Sequence, residues 1–183
     1  QLFGPTEVTE YNIAFKYFSI ITMGYGIIIS PFWSAITEAY VKKDLEWIRK
    51  SMRNLEYIGL GFVGLSIILF LVANPVYQFW VGDEISISMS MSAMICVYVI
   101  ISVISTPYVT FINGTSKIRL QLISAVFSIA MTIPLAIWLA TATPLGPSGV
   151  VLATIFTTLP TMIIWKIQYN KIINGTAQGI WAK

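Results

Sequence analysis

Residues 120–165 read LQLISAVFSIAMTIPLAIWLATATPLGPSGVVLATIFTTLPTMIIW, a run without one charged side chain. A helix crossing the roughly 30 Å hydrocarbon core needs about 20 apolar residues, and this run is about twice that. Its middle, Thr143-Pro144-Leu145-Gly146-Pro147-Ser148-Gly149, is dense in turn formers and cannot continue a helix. The stretch therefore predicts two membrane spans, near residues 120–142 and 150–165, joined by a tight turn.

Three other charge-free stretches precede it, at residues 17–37, 57–82 and 85–116. Each is long enough to cross a bilayer. With helix ends extended to neighbouring signals, the expected spans are 13–37, 57–80, 87–112, 119–142 and 148–167. The fold class read from the sequence is all-α: a polytopic membrane helix bundle with five transmembrane helices. Composition agrees. Hydrophobic residues make up 56% of the 183 and charged residues 10%, against about 25% charged in a typical soluble domain. Mean hydropathy is +0.77. These values exclude an ordinary soluble enzyme, a disordered chain and a basic nucleic-acid-binding domain. With no histidine and one cysteine, a His-based triad, a His-ligated metal site and an internal disulfide are excluded too. Cys96 lies in an apolar run and reads as a packing residue. No catalytic residue, metal or cofactor is expected, and the N-terminal segment lacks the basic start and short apolar core of a signal peptide.

The few charges are sorted by side. Lys42, Lys43, Arg49, Lys50 and Arg53 lie between the first and second spans, Lys117 and Arg119 between the third and fourth, and Lys166, Lys171 and Lys183 after the fifth. Alternating spans place all of these on one face. The opposite face carries Glu7, Glu10, Asp83 and Glu84, with Lys16 alone among the cations near it. The positive-inside rule makes the basic face cytoplasmic, so the N-terminus is expected outside and the C-terminus in the cytoplasm. The net charge of +3 and pI near 9.0 are then a topology signal. An odd span count, an external N-terminus and a first residue other than Met suggest part of a longer chain, with more helices before Gln1.

Local signals refine the spans. Thr6-Glu7-Val8-Thr9-Glu10 predicts a threonine-capped start with acids in the first turn. Pro31 should kink the first span, and Gly24 and Gly26 before it would allow bending; the three form a candidate hinge. Residues 42–56 read as an amphipathic connector on the cytoplasmic surface, with Leu45, Ile48, Met52 and Leu55 at helical spacing and Glu46–Lys50 as an i,i+4 pair. A straight extension of the second span is the alternative. Pro75, Tyr77, Phe79 and Trp80 close the second span, and Pro107, Pro134 and Pro160 bend the last three. Asn113-Gly114 predicts the C-terminal turn of the third. Gly59-Leu60-Gly61-Phe62-Val63-Gly64 matches G-x-G-x-x-G, but no strand precedes it, so it reads as a small-residue packing face and not a dinucleotide site. The sequons at Asn113 and Asn174 fall on the cytoplasmic side and read as chance matches. Lys16, flanked by Phe15 and Tyr17, is the ionisable residue that departs from the sorting. Facing a cavity it would hold an anionic headgroup; otherwise it snorkels to the outer surface or pairs with Glu10 or with a helix outside this sequence. Glu38 reads as an interfacial partner of Lys42.

Several runs together resemble one family. They are Phe3-Gly4-Pro5, Tyr11-Asn12-Ile13-Ala14-Phe15-Lys16-Tyr17-Phe18, Ser30-Pro31-Phe32-Trp33-Ser34-Ala35 with Glu38-Ala39-Tyr40, Phe79-Trp80-Val81-Gly82, Asn113-Gly114-Thr115-Ser116-Lys117-Ile118-Arg119-Leu120-Gln121, Gly146-Pro147-Ser148-Gly149-Val150-Val151-Leu152-Ala153-Thr154 and Ile167-Gln168-Tyr169-Asn170-Lys171-Ile172-Ile173-Asn174. Their order and spacing resemble the C-terminal half of O-antigen and polysaccharide flippases, within the multidrug/oligosaccharidyl-lipid/polysaccharide exporter superfamily. The resemblance implies part of the second of two pseudo-symmetric bundles, roughly the eighth to twelfth helices, without the N-terminal bundle. It implies flipping of an undecaprenyl-diphosphate-linked oligosaccharide across the cytoplasmic membrane by alternating access, for polysaccharide or O-antigen biosynthesis. It further implies Lys16 on a cavity wall facing the diphosphate, with Tyr11, Asn12 and Trp33 as contacts to sugar or lipid. An ion-coupled multidrug exporter of the same superfamily is the alternative, disfavoured by the lack of an acid in mid-span. A membrane scaffold without transport is the third reading.

Overall fold

The computed structural model describes residues 3–82 and 87–182. Asp83, Glu84 and Lys183, three of the charges used for sidedness, lie outside the described residues. The chain is all-α: α1 (Pro5–Ile29), α2 (Phe32–Val41), α3 (Leu45–Leu71), α4 (Ala73–Val81), α5 (Met89–Gly114), α6 (Arg119–Ala142), α7 (Pro147–Ile173) and a short 3-10 turn η1 (Gly179–Ala182). Among the described residues five runs are long and apolar enough to cross a membrane: Pro5–Val41, Leu45–Leu71, Met89–Gly114, Arg119–Ala142 and Pro147–Ile173. By that measure the protein is a multi-pass membrane protein.

The first crossing is broken where the proline stands. Ser30 N–H still reaches the Gly26 carbonyl at 2.9 Å, and Ala35 N–H reaches the Pro31 carbonyl at 3.4 Å. Pro31 has no N–H to give Ile27, so α1 and α2 meet at a kink. Gly24 lies in close contact with α3, where a Cβ would sit 3.2 Å from the Phe62 ring, whereas Gly26 has open space around it.

Two expected helix ends differ. α1 starts at Pro5 with Gly4 as its N-cap and no side-chain cap; proline at the first helical position suits a turn whose N–H would be unpaired anyway. The Thr9 hydroxyl donates back to the Pro5 carbonyl at 2.8 Å. At the end of α5, Gly114 is still helical. The left-handed residue is Ser116 (φ 58°), with Lys117 N–H bonded to the Ile112 carbonyl and Ser116 N–H to the Asn113 carbonyl, a Schellman closure. Lys43 (φ 59°) and Gly175 (φ 68°) close α2 and α7 by the same bonds. Gly114 serves a different need: a Cβ there would sit 3.2 Å from the Trp33 carbonyl oxygen, so it lets α2 lie against α5.

The second span and its connector also rearrange. α3 runs unbroken from Leu45 to Leu71, so residues 45–56 join the second apolar run as one continuous helix, the straight extension. Asp44 caps it by accepting from Trp47 N–H at 3.0 Å. Ile48, Met52 and Leu55, the apolar stripe read from the sequence, are fully buried against protein. The chain breaks at Val72, and α4 carries Tyr77, Phe79 and Trp80 separately. Glu46 and Lys50 do not pair; among the described residues the one ion pair closer than 4 Å is Lys42–Glu38, at 2.6 Å on the exposed surface.

α5 is the centre. It packs against α1, α2, α3 and α7, whereas α6 packs chiefly against α7 and η1. Ser92, Cys96, Ser105, Thr110 and Gly114 are among its buried residues. Small residues matter here because lipid is as apolar as leucine, so helices associate in it by close packing and not by escape from water. The closest approach to backbone at a described glycine is elsewhere: a Cβ on Gly149 would lie 2.8 Å from the Leu139 carbonyl carbon and oxygen. Backbone cannot yield as a side chain does, so Gly149→Val is expected to destabilise the protein by about 1–3 kcal/mol or more. Gly61→Val, into open space, is expected to be near neutral, and thermal unfolding of both variants in detergent checks the contrast.

Candidate functional site

Between two apolar cores lies a polar cleft. One core gathers Phe18, Ile21, Ile95 and Val99 with their neighbours; the other gathers Ile36, Ile48, Met52, Phe111 and Ile172 at the basic end. The cleft, of about 200 Å³, is lined by Tyr25 of α1, Glu56 and Gly59 of α3, Val103, Pro107 and Tyr108 of α5, and Lys166 of α7, with Leu60 and Ile104 beside them.

Each lining group has a local cause. The buried face of α3 continues from Met52 and Leu55 to Gly59, one helical step apart each time. Glu56, next to Leu55, is thereby carried to the edge of that face and is half-buried. Gly59 leaves room for Tyr25: a Cβ there would meet the phenol oxygen at 3.1 Å. The Tyr25 hydroxyl instead donates to the Leu55 carbonyl at 2.8 Å. From α5, the buried Tyr108 hydroxyl donates to Glu56 Oε1 at 2.7 Å. Pro107 lacks the N–H that would reach the Val103 carbonyl, which weakens the α5 ladder beside the acid. Lys166 Nζ stands 6.0 Å from the centre of the Tyr108 ring and is not within ion-pair distance of Glu56.

Chemically the cleft offers one carboxylate and one ammonium on either side of a phenol. The carboxylate can accept a proton or a cation, and the ammonium can meet an anion. Among the described residues no group of three His, Cys, Asp or Glu side chains comes together to hold a metal ion.

Sequence reading missed this site. It began the second span at Tyr57 because charges precede that residue, which left Glu56 in the connector, and it counted Lys166 with the charges at the cytoplasmic end of the fifth. Both helices continue through those positions. The findable signal was Tyr108, a hydroxyl deep in a charge-free span that needs a partner.

Of the residues singled out from sequence, Tyr11, Asn12 and Lys16 lie within two turns of α1 and Trp33 stands apart from them. Tyr11 stacks on Phe15 with ring centres 5.7 Å apart. It lines a cleft of about 180 Å³ with Phe15, Ile95, Tyr98, Val151 and Thr154. Asn12 and Lys16, one turn apart, are exposed on the face of α1 opposite Ala14, Phe18 and Ile21. Lys16 forms no ion pair among the described residues. Trp33 is 55% exposed and lies beyond the kink, about 25 Å further along by helical rise. The dinucleotide-like glycines sit in mid-helix. Gly59 alone among them is buried, while Gly61 and Gly64 meet nothing within 4 Å, so they do not share one packing face.

Compared with known proteins, the chain matches no family model, no curated protein and no solved structure.

The Glu56–Tyr108 bond yields a direct test. Glu56→Ala strands a buried phenol hydroxyl and is expected to cost about 1–3 kcal/mol. Glu56→Gln keeps an acceptor at the same place and is expected to cost clearly less. Unfolding of the purified variants in detergent measures the difference; equal stability of Glu56→Ala and wild type would remove the bond from the account.

Proposed function

We propose that the chain is the working half-bundle of a lipid-linked oligosaccharide flippase and not an enzyme. In this reading it moves an undecaprenyl-diphosphate-linked oligosaccharide across the cytoplasmic membrane by alternating access. Its N-terminus is outside and its basic end is cytoplasmic. The observation that supports it is the outward face of α1. Lys16 and Asn12 are exposed there, in a run that is otherwise built to cross lipid. A cation and an amide on such a face call for a water-filled cavity, an anionic ligand or a second bundle. The diphosphate of the substrate supplies the anion, and a first bundle supplies the opposite cavity wall. Trp33 and the kink at Pro31 extend the same run of helix. The sequence resemblance supports the substrate class.

An ion-coupled exporter of the same superfamily is the second reading. Glu56 favours it, because the acid that the spans seemed to lack lies inside the bundle. Increased drug sensitivity on deletion, with surface glycans unchanged, would put this reading first.

Lys16→Ala in the full-length protein separates the roles. Loss of one charge-assisted hydrogen bond to phosphate, about 1.5–3 kcal/mol, corresponds to about a ten- to hundred-fold loss of polysaccharide export. Membrane insertion is expected to stay normal. Wild-type export by the inserted variant would contradict the assignment of Lys16.

A further inference from the structure

A larger cavity lies away from both polar zones. It is a groove of about 460 Å³ between α6 and α7, lined by Ile123, Phe127 and Met131 on one wall and Phe156, Pro160 and Ile164 on the other, among others. Ser128 and Thr157 lie at its lining, but both hydroxyls are engaged within the two helices. Ser124 and Thr161 donate back to the Gln121 and Thr158 carbonyls of their own helices, and the other lining residues are apolar. The α6 wall runs from Leu120 to Leu135, about 22 Å at helical rise. That exceeds the roughly 15 Å depth of one leaflet's hydrocarbon.

One end of this groove is chemically distinct. Lys117 and Arg119 immediately precede Leu120. The N-cap of α6, Ile118, has no side-chain acceptor for the first-turn N–H groups, so the positive end of a 24-residue helix adds to the two cations. Gln168, fully buried, donates from Nε2 to the Lys117 carbonyl at 2.9 Å and holds this corner against α7. η1 packs on both α6 and α7 at the same end, with Lys171 Nζ 5.0 Å from the Trp181 ring. An indole and cations at the head of an apolar groove match an amphiphile with an anionic head and hydrocarbon tails.

We propose that the α6–α7 groove binds an anionic diacyl phospholipid from the leaflet on the basic side, phosphate at Lys117 and Arg119 and an acyl chain along Phe127 and Phe156. The site is separate from Lys16 and from the Glu56 cleft, and it holds whether or not the protein is a flippase.

Native mass spectrometry of the full chain, released from detergent with equimolar dioleoyl phosphatidylglycerol and dioleoyl phosphatidylcholine, tests it. Wild type is expected to retain one phosphatidylglycerol in at least several-fold preference. Lys117→Gln with Arg119→Gln should abolish the preference. Phe127→Ala with Phe156→Ala, both exposed side chains, should reduce retention of either lipid. Val126→Ala, outside the groove lining, should change neither. Equal retention of the two lipids by wild type, or undiminished preference in the Lys117/Arg119 variant, would overturn the proposal. So would a groove variant that keeps its lipid but dissociates a dimer, which would make the groove a protein interface.

Discussion

Inside lipid no water is present to satisfy a polar group, so each hydroxyl, carboxyl and amide buried there must find its partner in the protein. That constraint organises the tyrosines. Tyr17 and Tyr25 on α1 donate to the Leu69 and Leu55 carbonyls of α3, and Tyr108 on α5 donates to Glu56 of α3. Three phenols therefore tie the two helices flanking α3 to it at two heights, one at Leu69 and two together at Leu55 and Glu56. Dispersion contacts alone would let apolar helices slide; a hydroxyl with one acceptor in reach fixes rotation and height together. α5 then fills the centre, and α2 and α7 close around it.

The same constraint explains why the two polar zones differ. Glu56 is held by a bond from within the bundle and shares its cleft with Lys166. Lys16 and Asn12 turn away from the core. The inward acid has a partner within this chain, the Tyr108 hydroxyl. The outward zone has no ionic partner among the described residues.

How much was legible follows from what each signal measures. Charge gaps report where lipid is, and they placed five crossings, because a charge in hydrocarbon is expensive. The turn at residues 143–149 was legible from proline and glycine chemistry, and α6 ends at Ala142 before it. Charge gaps do not report where helices end. α3 continues through Arg49, Lys50 and Arg53, and α7 through Lys166, because a helix needs only its backbone bonds. Glu56 was therefore assigned to a surface connector. The stripe Ile48, Met52 and Leu55 was visible as a stripe, but periodicity cannot say whether protein or lipid covers it. Glycine roles were least legible. Gly149 and Gly114 meet backbone, Gly59 meets a phenol, and Gly61 meets nothing; such differences exist only once the helices are packed.

Glu56 of α3 lines a cleft inside the bundle, and its depth in the bilayer decides whether a spanning helix carries an acid. A nitroxide at the neighbouring exposed position tests it most directly, as Tyr57→Cys in a Cys96→Ser chain reconstituted in lipid bilayers, with Lys50→Cys for comparison. The account predicts that the label at 57 collides more with dissolved oxygen than with a water-soluble nickel chelate, and that the label at 50 does the reverse. Chelate-dominated collisions at both positions would place residues 45–56 and Glu56 on the aqueous surface and contradict it.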